Sequence, residues 1–156
     1  MKTFFSMLTA LILWTTLTCP AMSGEIVDSL GPSRIEKIIA REKGKVLIMN
    51  FWATWCGPCK AEIKDMIQIR KKYSPDQLTI IGPSLDYDPA MIQDFADNMG
   101  INYPVFHARE EVMAHFGIES IPFTMIFDGQ GRKTHEFYQL VEKEQLEQII
   151  RNLAGE

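Results

Sequence analysis

The chain predicts an α/β fold: one central mixed β-sheet with helices on both faces. Three observations carry that expectation. Apolar runs of strand length at 46–52, 78–81 and 123–127 alternate with stretches whose apolar residues recur every three to four positions. A hairpin signal follows the third run, and an amphipathic helix ends the sequence. With 156 residues, 46% of them hydrophobic, the chain can bury one core and is too short for two comfortable domains. Internal repeats, low-complexity tracts and long charge runs are absent, and Pro and Gly fall singly as turn punctuation.

The elements follow in order. Residues 33–43 read as a helix with Ser33 as N-cap and Gly44 after its end, burying Ile35, Ile38 and Ile39. The run 46–52 is a buried strand. Beyond it Ile63, Met66, Ile67 and Tyr73 keep helical spacing, while Lys64, Gln68, Lys71 and Lys72 form the wet side. Residues 78–81 make a second buried strand. Asp88 then caps a helix that starts at Pro89, buries Ile92, Phe95, Ala96 and Met99, and stops at Gly100. Residues 103–107 are a short strand, and 110–116 a short helix ended by Gly117. The strand 123–127 is joined through Asp128, Gly129, Gln130 and Gly131 to a partner at 133–138 as a hairpin. Leu146, Ile149, Ile150 and Leu153 mark the last helix.

The first 23 residues differ from the rest. Lys2 is the only charge before Glu25, and the stretch from Leu8 to Leu17 is nearly all apolar or Thr. This reads as a secretory signal, with Ala21 and Ser23 suited to a peptidase cut after Ser23. An uncleaved membrane anchor and lipidation at Cys19 compete with it, although the apolar stretch is short of the roughly 20 residues that span a bilayer. The expected organisation is therefore residues 1–23 as signal peptide or uncleaved anchor and residues 24–156 as one domain. The location is exported, periplasmic or otherwise extracytoplasmic. The formal charge of −4, which becomes −5 without Lys2, makes a poor nucleic-acid binder.

Removing that segment also removes Cys19, leaving Cys56 and Cys59. Two cysteines cannot build a disulfide framework, so in an oxidising compartment the pair either cycles or stays oxidised. Cys56-Gly57-Pro58-Cys59 follows directly on the strand 46–52, at a strand-to-helix junction. A helix beginning near Cys56 aims unsatisfied N–H groups and its positive dipole end at the first sulfur, favouring the thiolate, which is the species that attacks disulfides. Cysteines at i and i+3 lie on one side of the first turn and can close a small disulfide loop. Cys56 is then the more exposed nucleophile and Cys59, one turn inside, the shielded resolving thiol. Pro58 costs little where N–H groups have no intrahelical partner. Two thiolates are half a tetrahedral zinc site, and His107, His115 and His135 stand at no ligand spacing, so no metal and no cofactor is expected.

The segment from Asn50 through Trp52, Trp55, Cys56 and Cys59 to Glu62 strongly resembles the active-site segment of exported thioredoxin-like proteins of the ResA, TlpA and DsbE kind. The resemblance extends over essentially the whole chain after residue 23. It includes residues 86–107, which look like the extra helix and strand this group inserts in the thioredoxin fold. It also includes Ser120-Ile121-Pro122-Phe123-Thr124, which looks like the family's cis-proline loop facing the thiols.

The resemblance implies further roles. Glu62 would take the proton of Cys59 during release of a mixed disulfide, where spacing alone favours a solvated glutamate on a helix face. Asn50 stands where cytosolic thioredoxins carry a buried aspartate, or else simply hydrogen-bonds backbone at the strand's end. A cis bond before Pro122 would present the Ile121 backbone to an extended peptide. Trp52 and Trp55 would shield the disulfide and shape the groove, with Trp55 on the substrate side. Lys64 replaces a proline common in this group, which implies a straighter helix.

The implied activity is thiol-disulfide exchange. The Gly-Pro dipeptide matches that of reducing thioredoxins, with potentials of about −270 mV, rather than strong oxidants at about −120 mV. A reductant of selected proteins bearing disulfides is expected, such as apocytochrome c or metal-site assembly proteins, recharged by a membrane electron donor of the DsbD or CcdA type. An oxidase or isomerase would use the same two cysteines. A peroxidase is disfavoured because the Thr/Ser-x-x-Cys setting is missing. A redox-inert peptide-binding chaperone would use only the groove beside Pro122.

Overall fold

The computed structural model describes residues 28–155. The segment 1–23 and Cys19, with the cleavage, anchoring and lipidation expectations that fall on them, lie outside the described residues. Among those residues, no helix is long and apolar enough to cross a membrane.

The order along the chain is β1 (Ser29–Leu30), α1 (Pro32–Arg41), β2 (Val46–Phe51), α2 (Gly57–Lys72), β3 (Leu78–Ser84), α3 (Ala90–Met99), β4 (Val105–Ala108), α4 (Glu111–Phe116), β5 (Phe123–Phe127), β6 (Lys133–Phe137) and α5 (Lys143–Ala154). The sheet runs β1-β4-β3-β2-β5-β6. The pairs β1–β4, β4–β3 and β3–β2 are parallel, whereas β2–β5 and β5–β6 are antiparallel. The mixed sheet of the expectation is therefore present, and α3 with β4 is the inserted segment.

Strand parity decides what each face carries. Leu47, Met49 and Phe51 point to one side of β2, where they pack with Ile35 and Ile38 of α1 and Val112 of α4. Val46 and Ile48 point to the other, against Met66 and Ile69 of α2 and Leu146 and Ile150 of α5. Asn50 has the parity of the second set, and so does Thr124, its register partner on β5. Both polar side chains are thereby turned toward α2. A third apolar cluster, of Trp52, Ala53, Ile63 and Ile92, includes the cysteine pair Cys56 and Cys59, with Ile121 packed against it.

Several boundaries differ from expectation for identifiable reasons. Ser33 is not the N-cap of α1: Gly31 holds that place without a side-chain cap, and Pro32 sits in the first turn. That helix ends at Arg41, and Ile39 is only partly buried. Pro89, not Asp88, holds the N-cap position of α3 and precedes the helix rather than opening it; the Asp88 carboxylate, one residue earlier, accepts from the Ala90 backbone N–H at 2.9 Å. β3 continues three residues past Ile81, paired by Gly82, Pro83 and Ser84 with β4. β4 starts at Val105 because Pro104 has no N–H for a ladder; the Pro104 carbonyl instead accepts from Gly82 at 2.9 Å. In the hairpin only Gly131 has a positive φ, 77°, while the Asp128 carboxylate accepts from the backbone N–H groups of Gln130 and Arg132. β1 was not anticipated: two residues carry no periodicity.

Candidate active site

The cysteine pair sits where β2 gives way to α2. Cys56 is the N-cap of α2, with extended φ/ψ, and its Sγ accepts the backbone N–H of Cys59 at 3.2 Å; Pro58 occupies the first turn. The helix follows directly because the apolar positions Ile63, Met66 and Ile69 repeat at i+3, and it runs unbroken to Lys72 through the position of Lys64. Cys56 and Cys59 are joined as a disulfide with Cα atoms 5.3 Å apart. Their relative exposures are 5% and 0%, so the expected ordering holds, with Cys56 showing only an edge to solvent.

The loop before the pair is fixed by Asp86, which is 3% exposed. Its carboxylate accepts from the Thr54 backbone N–H (2.9 Å), the Thr54 hydroxyl (2.7 Å) and the Ser84 hydroxyl (2.6 Å). The end of β3 is thereby tied to the residue two before Cys56. Sequence reasoning took Asp86 only as the start of the inserted segment; a carboxylate directly after an apolar strand was the available signal.

The two tryptophans have different roles. Trp52 is fully buried, stacks on Phe95 with ring centroids 5.1 Å apart, and donates its indole N–H to the Gly82 carbonyl at 3.1 Å. A Cβ at residue 82 would fall 2.9 Å from that indole nitrogen, so only glycine fits there. Trp52 is a core residue. Trp55 is 65% exposed and lines a cleft of about 640 Å³ together with Leu85, Tyr87, Met113 and Ile121. Asp86, Glu110 and Glu119 are the acids of that cleft, and His107 also lines it. The Ile121–Pro122 bond is cis, as anticipated, and Pro122 is buried while Ile121 is partly exposed. The structure thus brings Trp55, the chain neighbour of Cys56, and Ile121 to one cleft, whose lining includes neither cysteine nor Pro122.

Glu62 is not the solvated residue that spacing favours: it is fully buried one turn along α2 from Cys59. Its carboxylate accepts from Asn50 Nδ2 at 2.7 Å and from the Val141 backbone N–H at 3.1 Å. Asn50 Nδ2 also donates to Thr124 Oγ1 at 2.9 Å, so Asn50 bonds side chains rather than the backbone. Burial pushes the Glu62 pKa up to about 7, against the lowering influence of hydrogen bonds from Val141, Asn50 and Thr124, with Asp65 adding a smaller upward push. Thr124 and Val141 were not singled out as site residues. The strand parity of Thr124 was the only sequence signal for them.

Comparisons with known proteins agree with this arrangement. Residues 18–151 match the AhpC/TSA family. Thiol-disulfide oxidoreductase ResA of Bacillus thuringiensis (strain Al Hakam) is 28% identical over 130 residues, 83% of this chain and 74% of that protein. Thioredoxin-like protein YneN of Bacillus subtilis (strain 168) is 33% identical over 92 residues, 57% of this chain and 54% of its own length. A thiol:disulfide interchange protein of the thioredoxin family from Chlorobium tepidum TLS superposes with a TM-score of 0.68 at 30% identity, covering 74% of this chain and 84% of that one. The chain belongs to the AhpC/TSA family and, within it, to the thioredoxin-like thiol-disulfide oxidoreductases of the ResA, TlpA and DsbE kind.

Proposed function

We propose that this oxidoreductase works outside the cytoplasm as a reductant of selected substrate disulfides. The observation that carries the reading is Cys56 at the N-cap of α2, its sulfur facing a backbone donor. In the reduced protein the Cys56 thiolate attacks one sulfur of a substrate disulfide. A mixed disulfide forms and the other substrate sulfur leaves as a thiolate. Glu62 as carboxylate takes the proton of Cys59, and the Cys59 thiolate attacks Cys56 Sγ, releasing the second substrate thiolate. Two electrons have then passed to the substrate, and Cys56–Cys59 is a disulfide. A membrane electron donor of the DsbD or CcdA type restores the dithiol, and the N-terminal segment, cleaved or kept as an anchor, brings the protein to that side of the membrane.

The substrate strand lies in the cleft against Trp55, Ile121 and the backbone before Pro122, where an extended segment can pair. Acids and no Lys or Arg among the lining residues favour segments with basic side chains beside the disulfide. Apocytochrome c and metal-site assembly proteins fit a reductant in an oxidising compartment. The test is Cys59→Ser expressed in cells: it cannot resolve the mixed disulfide and should accumulate substrates bound through Cys56. Recovering no disulfide-linked protein would overturn the reading. A reduction potential nearer −120 mV than about −270 mV would reverse the electron flow.

A further inference from the structure

Asn50 Nδ2 serves two acceptors, Glu62 Oε2 and Thr124 Oγ1, while Asn50 Oδ1 is buried and, among the described residues, has no hydrogen-bond partner. The amide faces its partners with both hydrogens and turns its acceptor toward no donor among the described residues. That suits an ionised Glu62. Every near neighbour of known role presents a donor: Asn50 from β2, Thr124 from β5, and the Val141 N–H from the loop before α5. Asp65 on α2 is the other charge acting on the carboxyl group, and Tyr103, ahead of β4, is a phenol whose ionisation is opposed first by burial and then by the Glu62 charge. With Oε1 kept as acceptor of the Val141 N–H, a proton on Oε2 that points at Asn50 sets the Glu62 O–H against the N–H of the amide, donor against donor.

We propose that Asn50 is the positioning residue of this site, and that its carboxamide turns end for end when Glu62 gains a proton, so that one side chain holds both forms of the acid. After the turn Oδ1 accepts from the Glu62 O–H and from the Thr124 O–H, and Nδ2 takes the place Oδ1 had. Both arrangements use the same heavy-atom positions. The rotation is about a terminal torsion whose two wells are nearly equivalent in shape, so no repacking is required. The Val141 N–H bond to Oε1 persists in both. Glu62 can then accept a proton in a dry site and release it without losing its orientation toward the Cys59 turn. The functional meaning rests on Glu62 acting as the proton acceptor proposed above.

The experiment is NMR of the oxidised protein, full chain, with the Glu62 carboxyl carbon and the Asn50 side-chain amide followed from pH 5 to 9. At high pH the amide protons should show cross-peaks to the Thr124 β-proton. Those cross-peaks should vanish with the midpoint of the Glu62 titration as pH falls. Glu62→Gln, whose amide N–H mimics the acid's O–H, should show the low-pH pattern at every pH. Asn50→Leu, which removes donor and acceptor together, should move the Glu62 midpoint upward by about one unit or more, as expected for losing a hydrogen bond to the charged form. Cross-peaks to Thr124 that persist on both sides of the Glu62 midpoint would overturn the proposal. The wild-type spectra decide it even if Asn50→Leu fails to fold. Because these readouts involve no disulfide exchange, an amide that turns in a protein unable to reduce disulfides would refute only the functional reading, and an active protein with a fixed amide would refute only this one.

Discussion

The Sγ of Cys56 lies 3.2 Å from the backbone nitrogen of Cys59, so the first sulfur of the pair is itself the N-cap acceptor of α2. A cap side chain that carries charge gains from the donor and from the helix dipole together. Cys59, fully buried in the cluster of Trp52, Ile63 and Ile92, has the opposite environment. In the dithiol form the N-cap donor and helix dipole should favour the Cys56 thiolate relative to a free cysteine, and burial should disfavour that of Cys59. Rates of alkylation against pH, residue by residue, check this. Two sulfurs that react alike with midpoints near 8.5 would remove the basis for assigning Cys56 as nucleophile.

The two tryptophans flanking Ala53 and Thr54 should separate stability from substrate binding. Trp52 is enclosed, stacked on Phe95 and bonded to Gly82. Trp52→Ala should cost about 3–5 kcal/mol in urea unfolding. Trp55 is mostly exposed at the cleft, so Trp55→Ala should change stability by no more than about 0.5 kcal/mol. It should instead raise KM for a disulfide-bearing peptide several-fold with little change in kcat. A Trp55→Ala protein with unaltered KM would exclude Trp55 from the substrate surface.

The contrast between these residues also marks how much the sequence could tell. Periodicity found every element long enough to repeat itself: β2, α2, β5 and α5 are all where their apolar spacing puts them, and β1, two residues long, is not. The Cys56 and Cys59 geometry was legible because a strand-to-helix junction with Pro58 in the first turn leaves the chain few alternatives. Glu62 was not. Read as a solvated helix-face glutamate, it in fact shares the buried face of α2 with Met66 and Ile69 at i+4 and i+7, and there Asn50, Thr124 and the Val141 N–H, from β2, β5 and the loop before α5, converge on it. Contacts across 12 to 79 residues leave no local pattern, and only the family resemblance pointed to them.

Asp86 is another residue whose importance comes from distant partners. Replacing it with Ala would strip acceptors from the Thr54 N–H, the Thr54 hydroxyl and the Ser84 hydroxyl in a mostly buried setting. Lost bonds to a charged acceptor and donors left without partners add to roughly 2–4 kcal/mol, measurable as a lower urea midpoint. Because Thr54 lies two residues before Cys56, the turn that aims the sulfur should loosen as well, and disulfide reduction should slow by roughly tenfold. Asp86→Asn, which keeps one acceptor oxygen, should fall between. Wild-type rates in a destabilised Asp86→Ala protein would show that the network supports the fold without orienting the nucleophile.

Burial of Glu62 also makes the stability of the protein depend on pH in a defined direction. Its pKa rises from 4.5 to about 7 on folding, so between those values the native chain holds a proton that the unfolded chain has lost. Stability therefore falls as pH rises through that window. The favourable contribution is complete below about 4.5 and gone above about 7. At about 1.4 kcal/mol per unit, the full swing is roughly 3 kcal/mol. Glu62→Gln, uncharged throughout, should abolish it: urea unfolding of the oxidised proteins at pH 5 and pH 8 should show the wild type losing about 2.5 kcal/mol more than the variant over that interval. The same protonation bears on activity, because only the ionised carboxyl can accept the Cys59 proton. Release of the mixed disulfide should speed up over the very range in which the fold weakens. A wild type whose stability tracks that of Glu62→Gln from pH 5 to 8 would mean that Glu62 ionises at an ordinary carboxylate pKa, and the proton-acceptor role would lose its physical basis.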